Sequence, residues 1–318
     1  MTHNIPRLLA AAGILAAATA AASAKVERIV EKSFLVDPGV NLRVLTSGGE
    51  IRVDPSAGNT VHITAREHVR ASSEADADLI LQKLDLVIEQ HGNDVIASAT
   101  FKDDGNFHFG SWPPVEVDFI VTVPPSASAD LKTSGGDIAV GDLDGTVLAR
   151  SSGGEIGLGK IGGEVDGTTA GGNVSLAVGR GRVRLSTSGG TITAGRLVGP
   201  AVLRTSGGDI KVEAAENTLS AHTSGGDVRA KFEGPLKGDC SLTTSGGEVT
   251  AAVGKGASFH LAASTSGGDV KADGLTITIE HGGVGKTSLS GDVNGGGPLL
   301  ELNTSGGDVS VVVNGAGA

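Results

Sequence analysis

Thr133-Ser134-Gly135-Gly136-Asp137-Ile138 is the stretch on which the reading of this 318-residue chain turns. It recurs as Ser151-Ser152-Gly153-Gly154-Glu155-Ile156, in variants at 170–174 and 188–192, and again from Ser206, Ser224, Ser245, Ser266 and Ser305. A shortened Ser290-Gly291-Asp292-Val293 stands between the last two. The acidic slot falls at 137, 155, 173, 191, 209 and 227, a step of 18. It then falls at 248, 269, 292 and 308, steps of 21, 21, 23 and 16. A fixed period of this size marks one small unit stacked on itself. Between phrases, Ile138 and Val140 alternate with small or polar residues, and so do Val147, Ala149 and Ser151. Each unit is therefore two short strands with one buried face each, too short for a helix. A single unit cannot cover its own apolar side, so its neighbours must. The expected fold is all-β: a β-solenoid of about 18–23 residues per coil with an N-terminal β-rich cap.

The corner has its own chemistry. Paired glycines suit a bend that needs positive φ and no Cβ. The preceding hydroxyl recurs as Thr133, Ser151, Thr169, Thr187, Thr205, Thr223, Thr244, Thr265 and Thr304. These hydroxyls are expected to bond one another in a ladder between coils. The acidic slot comprises Asp137, Glu155, Asp209, Asp227, Glu248, Asp269 and Asp308. It is expected to cap backbone N–H groups as a structural turn ladder. Asn173 and Thr191 occupy the same slot, and that tolerance suits capping better than catalysis.

Residues 1–24 carry Arg7, an apolar Ala-rich run and Ala22-Ser23-Ala24, the pattern of a secretory signal peptide cleaved before Lys25. The run is short for a membrane-spanning helix of about 20 residues. No later segment reads as a span. The division expected is a leader at 1–24, a β-rich cap region at 25–130 and the repeat solenoid at 131–318. Formal net charge is −11. Cleavage would leave 24 basic against 36 acidic residues, a charge of −12. Phosphate repulsion makes such a chain a poor match for nucleic acid or an anionic membrane surface. Cys240 is the single cysteine, so no intrachain disulfide forms, and it reads as a small buried apolar residue.

In the cap region, 41–46 and 50–53 read as strands around Ser47-Gly48-Gly49-Glu50-Ile51, an outlying copy of the phrase. Residues 61–69 alternate as a further strand. A short helix is expected after Ser73, which stands three residues before Asp76 as a capping signal. Residues 85–90 and 94–101 flank His91-Gly92-Asn93 as a hairpin, and 115–123 alternate as a strand ended by Pro124-Pro125. This region is expected to hide the solenoid's open edge. The loop 102–114 gathers Phe107, His108, Phe109 and Trp112 in a chain with 7 Phe, 1 Trp and no Tyr. It reads either as a partner-contacting tip or, more simply, as a loop burying its own aromatics.

The repeated Thr-Ser-Gly-Gly-Asp-Ile/Val phrases, preceded by the strand 119–123 ending at Pro124, resemble a bacterial family of unknown function labelled as adhesin-like β-strand repeat proteins. The resemblance covers about 41–313. It implies an exported β-solenoid of the right-handed β-helix type, and it supplies no catalytic motif to carry over.

The residues are compatible with three classes of function. The first is an exported non-enzymatic scaffold, adhesin-like, contacting a cell-envelope or extracellular partner from the periplasm, outer-membrane surface or medium. The second is divalent-cation binding at the acidic corner, where Asp209 and Asp227, then Glu248 and Asp269, would stack at about 4.8 Å. The third is a polysaccharide-active enzyme, which needs clustered carboxylates and a base on one face. The histidines at 62, 68, 91, 108, 222, 260 and 281 show no metal-ligand or triad spacing. The first class is preferred, with no cofactor.

Overall fold

The computed structural model describes residues 25–101, 114–279 and 285–314. The leader at 1–24 and the aromatic loop residues Phe107, His108, Phe109 and Trp112 lie outside them. Each repeat lays one strand in each of two long, mainly parallel sheets. In the first, Ile156–Ile161 pairs with Val174–Gly179, then Ile192–Leu197, then Ile210–Ala215. In the second, Val165–Thr168 pairs with Val183–Ser186, then Ala201–Arg204, then Leu219–His222. Equivalent residues stand directly side by side: Ile156, Val174, Ile192 and Ile210 form one inward column. That column is at most 1 % exposed, so the period-2 pattern becomes a continuous core between the sheets. Burying each such side chain contributes about 1.5–3 kcal/mol, and only the neighbouring coils make that burial possible.

Both ends depart from sequence order. The coil 41–55 does not sit at the edge. Its strands lie between those of 94–123 and those of 128–140. Ser47-Gly48-Gly49-Glu50 is therefore an integral corner of the stack. At the other end, Leu299–Thr304 and Val309–Val313 lie between the coil at 240–253 and the coil at 259–273. Antiparallel strands cover both sheets at the N-terminal end and the second sheet at the other, while Val270–Asp273, parallel to Val309–Val313, forms the remaining edge of the first sheet. Thr60–Arg70 and Lys25–Leu35 cover one sheet at the N-terminal end, and Leu84–His91 covers the other. Ser288–Val293 runs antiparallel to Phe259–Thr265. Turning strand direction at an edge, with charged residues along it, blocks edge-to-edge pairing.

This arrangement explains the uneven steps late in the chain. Glu248 and Asp269 are consecutive in the phrase count, yet the last coil, carrying Asp308, stands between them. Ser290-Gly291-Asp292-Val293 is not a corner at all, because its strand is antiparallel and belongs to the cover. The helix forms over Glu74–Leu81, with the Ser73 side chain accepting from the Asp76 N–H. The hairpin turns at Gly92, whose φ is +62°. One inward position of Thr60–Arg70 holds a carboxylate, Glu67, and burial pushes its pKa up.

The glycine pair needs a different explanation from positive φ, which none of the phrase glycines adopts. A Cβ on the second glycine would lie 2.0–2.3 Å from the carbonyl oxygen of its counterpart one coil away. At the first glycine the same distance is 3.0–3.7 Å. The constraint is the close approach of stacked corners. Gly190→Ala, with only 2.1 Å to the Gly172 oxygen, is expected to lower stability by about 1–3 kcal/mol. Gly189→Ala, at 3.4 Å, is expected to cost less than about 1 kcal/mol, both measured by urea unfolding. Deleting 299–314 removes an inner coil rather than a tail. Hydrogen exchange should then show lost protection in both Val249–Val253 and Val270–Asp273, not fraying at one edge alone.

Candidate interaction surface

The repeated polar groups were the first candidates for a site, and the structure shows where each is directed. The corner hydroxyls do not bond one another. Each donates to the carbonyl of a residue in the adjacent coil: Thr187 to Gly172, Thr205 to Gly190 and Thr223 to Gly208, all at 2.8 Å. Several also accept from the second glycine N–H of their own corner, as Thr187 does from Gly190 at 3.2 Å. The geometry follows from stacking: the hydroxyl lies beneath a carbonyl, not beneath another hydroxyl. Thr265 donates to Gly307, and Thr304 to Gly247, which confirms the tucked position of the last coil.

The acidic slot divides by side-chain length. Asp137, Asp209 and Asp227 each accept from the slot N–H of the next coil, at Glu155, Asp227 and Glu248, over 2.7–2.8 Å. Asn173 does the same for Thr191 at 2.9 Å, and Asp308 for Asp269 at 2.9 Å. Glu155 instead accepts from the Asn173 side-chain amide. The backbone N–H of Asp269 holds the Asp308 carboxyl below the usual carboxylate range, with Lys271 adding to the effect. Like charges are relieved by the protein's own cations. Arg229 lies 2.8 Å from Asp227 and 3.7 Å from Glu248, and Lys271 lies 2.9 Å from Asp308. Arg150 serves elsewhere, between Asp130 and Asp166 on a sheet face. Among the described residues, no group of three or more His, Cys, Asp or Glu is placed to hold a metal ion.

Other candidates are brought into view by pairing. His260 contacts the Asp292 carboxylate through Nδ1 at 2.7 Å and the Ser290 hydroxyl through Nε2 at 3.4 Å. That connectivity resembles a nucleophile relay, and antiparallel pairing of distant strands made it invisible in the sequence. The outward-facing His62 lies between two hydroxyls, Ser33 at 2.8 Å and Thr64 at 3.4 Å. Among the described residues His62 has no carboxylate partner there, whereas His260 has Asp292. His281 lies outside the described residues. Cys240 is buried on the inner face, and desolvation pushes its thiol pKa up, away from reactivity.

Concavity is found on the outer face of the second sheet. One hollow of about 450 Å³ is lined by residues including Asn41, Arg43, Asp94, Asp130 and Leu148. Another of about 410 Å³ is lined by residues including Arg182, Arg184, Thr218, Ser220, Asp239 and Glu301. Both follow the same two outward columns, which flank the inward column running through Leu42, Ala129, Val147, Val183, Leu219 and Leu300. The one missed signal is Arg180-Gly181-Arg182-Val183-Arg184, three alternate arginines in a regular coil of an acidic chain. A search confined to breaks in the repeat passes over it.

The family model of the Toastrack DUF4097 family matches residues 50–312, and the chain belongs to that family. No curated protein matches it. Among solved structures, a "putative adhesin" from Parabacteroides merdae ATCC 43184 is 12% identical, with a TM-score of 0.46, over 90% of this chain and 96% of that one. A "putative adhesin" from Bacteroides fragilis NCTC 9343 is 13% identical, with a TM-score of 0.38, over 90% and 97%. A "putative lipid binding protein" from Parabacteroides distasonis ATCC 8503 is 12% identical, with a TM-score of 0.37, over 89% and 96%.

If the acidic slot is a cap, an amide should replace it. Asp308→Asn is expected to leave the melting temperature at neutral pH nearly unchanged, since Asn173 already fills the role. The native carboxylate has a depressed folded pKa. Its contribution is complete above the ordinary value of about 4 and is lost as pH falls through the depressed one. The Asn variant should therefore lose stability less steeply below about pH 4 in acid titration of the melting temperature.

Proposed function

We propose that this chain is an exported, non-catalytic interaction rod of the cell envelope, adhesin-like in character, whose partner docks on the outer face of the second sheet. One observation carries the reading. The groups repeated in every coil are directed to neighbouring coils, so the side chains that vary along the outer face are those left to meet a partner. The leader pattern at 1–24 supports export. Among the described residues no helix is long and apolar enough to cross a membrane.

Fractionation of cells carrying a C-terminally tagged full-length chain tests the proposal. The expected product begins at Lys25 and is recovered in periplasm, outer membrane or medium, where it captures envelope material. An uncleaved chain retained in the cytosol, or one that captures nothing from any envelope fraction, would overturn it.

A further inference from the structure

We infer that the trough running from Arg182 and Arg184 to Glu301 is a binding site for an acidic oligosaccharide, whose carboxylate is held by the two guanidinium groups. This rests on the reading of the chain as an envelope-binding rod and names the chemistry of its ligand.

The position of the arginines follows from the pleat. Val183 points into the core and is fully buried, so Arg182 and Arg184 both point outward, about 7 Å apart along the strand. Among the described residues neither makes an ion pair or a side-chain hydrogen bond. Arg28, Arg43, Arg52, Arg70, Arg150, Arg196 and Arg229 pair with carboxylates, while Arg66, Arg180 and Arg204, which also lack an ion pair among the described residues, line neither hollow. A planar fork of N–H donors left free on a concave face is suited to a carboxylate.

The rest of the trough selects the ligand class. From the strand Val183–Ser186 the surface crosses four coil steps to Leu299–Thr304. At 4.8 Å per step that is about 19 Å, the reach of a short oligomer. Pro200 and Val202 give it an apolar patch, Thr218 and Ser220 give it hydroxyls, and Asp239 and Glu301 lie at the far end. Asp239 already accepts from the Leu299 N–H, and Glu301 from the Ser241 hydroxyl. The preceding coil places Glu164 beside Arg182 and Asp166 beside Arg184. Carboxylates thus bound the basic patch on both sides. A polyanion such as nucleic acid, or an anionic bilayer, would meet them and be repelled. One acidic unit within a hydroxyl-rich chain would not, and its hydroxyls can donate to the far carboxylates. A peptide is disfavoured for another reason. Strand addition needs free backbone donors, and within this sheet those groups are used in the ladders.

Calorimetric titration of the purified full chain with a neutral xylo-oligosaccharide bearing a single glucuronate unit, and with the same oligomer after reduction of its carboxyl group, tests the inference. Binding of the acidic form is expected, weakened at least tenfold by carboxyl reduction and by Arg182→Ala with Arg184→Ala. Arg182→Lys with Arg184→Lys should fall between, because charge is kept and the fork is lost. Exposed arginines without partners leave the melting temperature unchanged, so a loss of binding reports the site. Equal binding of both sugars, or undiminished binding by the double Ala variant, overturns the inference. So does binding of oligoglutamate or of phosphatidylglycerol vesicles in place of the sugar. If the double Ala variant still captures envelope material as well as the parent does, this site fails while the envelope role stands. If neither captures any, the envelope role fails.

Discussion

The bond from a corner hydroxyl to a glycine carbonyl one coil away is the interaction on which the rest depends. It joins every pair of neighbouring corners from Thr133 on Gly49 to Thr265 on Gly307. Buried Thr223, fully shielded from solvent, shows how little room exists for an unpaired hydroxyl there. The close approach that makes the bond possible is also what excludes a Cβ from the second glycine. Once corners are fixed at this spacing, the Ile and Val columns fall into register and the core closes. The cap aspartates then satisfy the slot N–H groups that the turn leaves over.

Such a scaffold separates building from binding. Groups repeated in every coil are directed inward or to neighbouring coils. Freedom remains in the outward positions of the strands, where one coil carries Arg184, its neighbours carry Asp166 and Val202, and none is required by the fold. The result is a rigid surface with a period of about 4.8 Å whose chemistry changes coil by coil. That surface suits recognition of an extended ligand, and its rigidity lowers the entropy lost on docking.

Much of the fold was legible because local and global signals agree. The 18-residue step, the alternation around Ile138 and Val147, the Ser73 cap and the Gly92 hairpin each have a local cause. The order of coils at the ends was not legible. Placing 41–55 and 299–313 one coil inward depends on pairing between residues far apart in the chain, such as Thr46 with Ala99 and Val309 with Val249. Periodicity says that coils stack, not which coil is next. The positive-φ explanation of the glycines failed for the same reason: the limiting contact comes from another coil. The arginine trough was hidden because the repeat drew attention to what breaks it, while Arg182 and Arg184 sit in a coil of regular length.

The central claim is that the recurring phrase holds coils together rather than holding a ligand. Equilibrium urea unfolding of Thr205→Val tests it most directly, since valine keeps the shape and removes only the hydroxyl. The bond to the Gly190 carbonyl and the contact from the Gly208 N–H would both be lost. The expected result is a loss of about 1–3 kcal/mol from leaving buried backbone groups unpaired, with capture of envelope material unchanged. Unaltered stability combined with loss of capture would contradict the account.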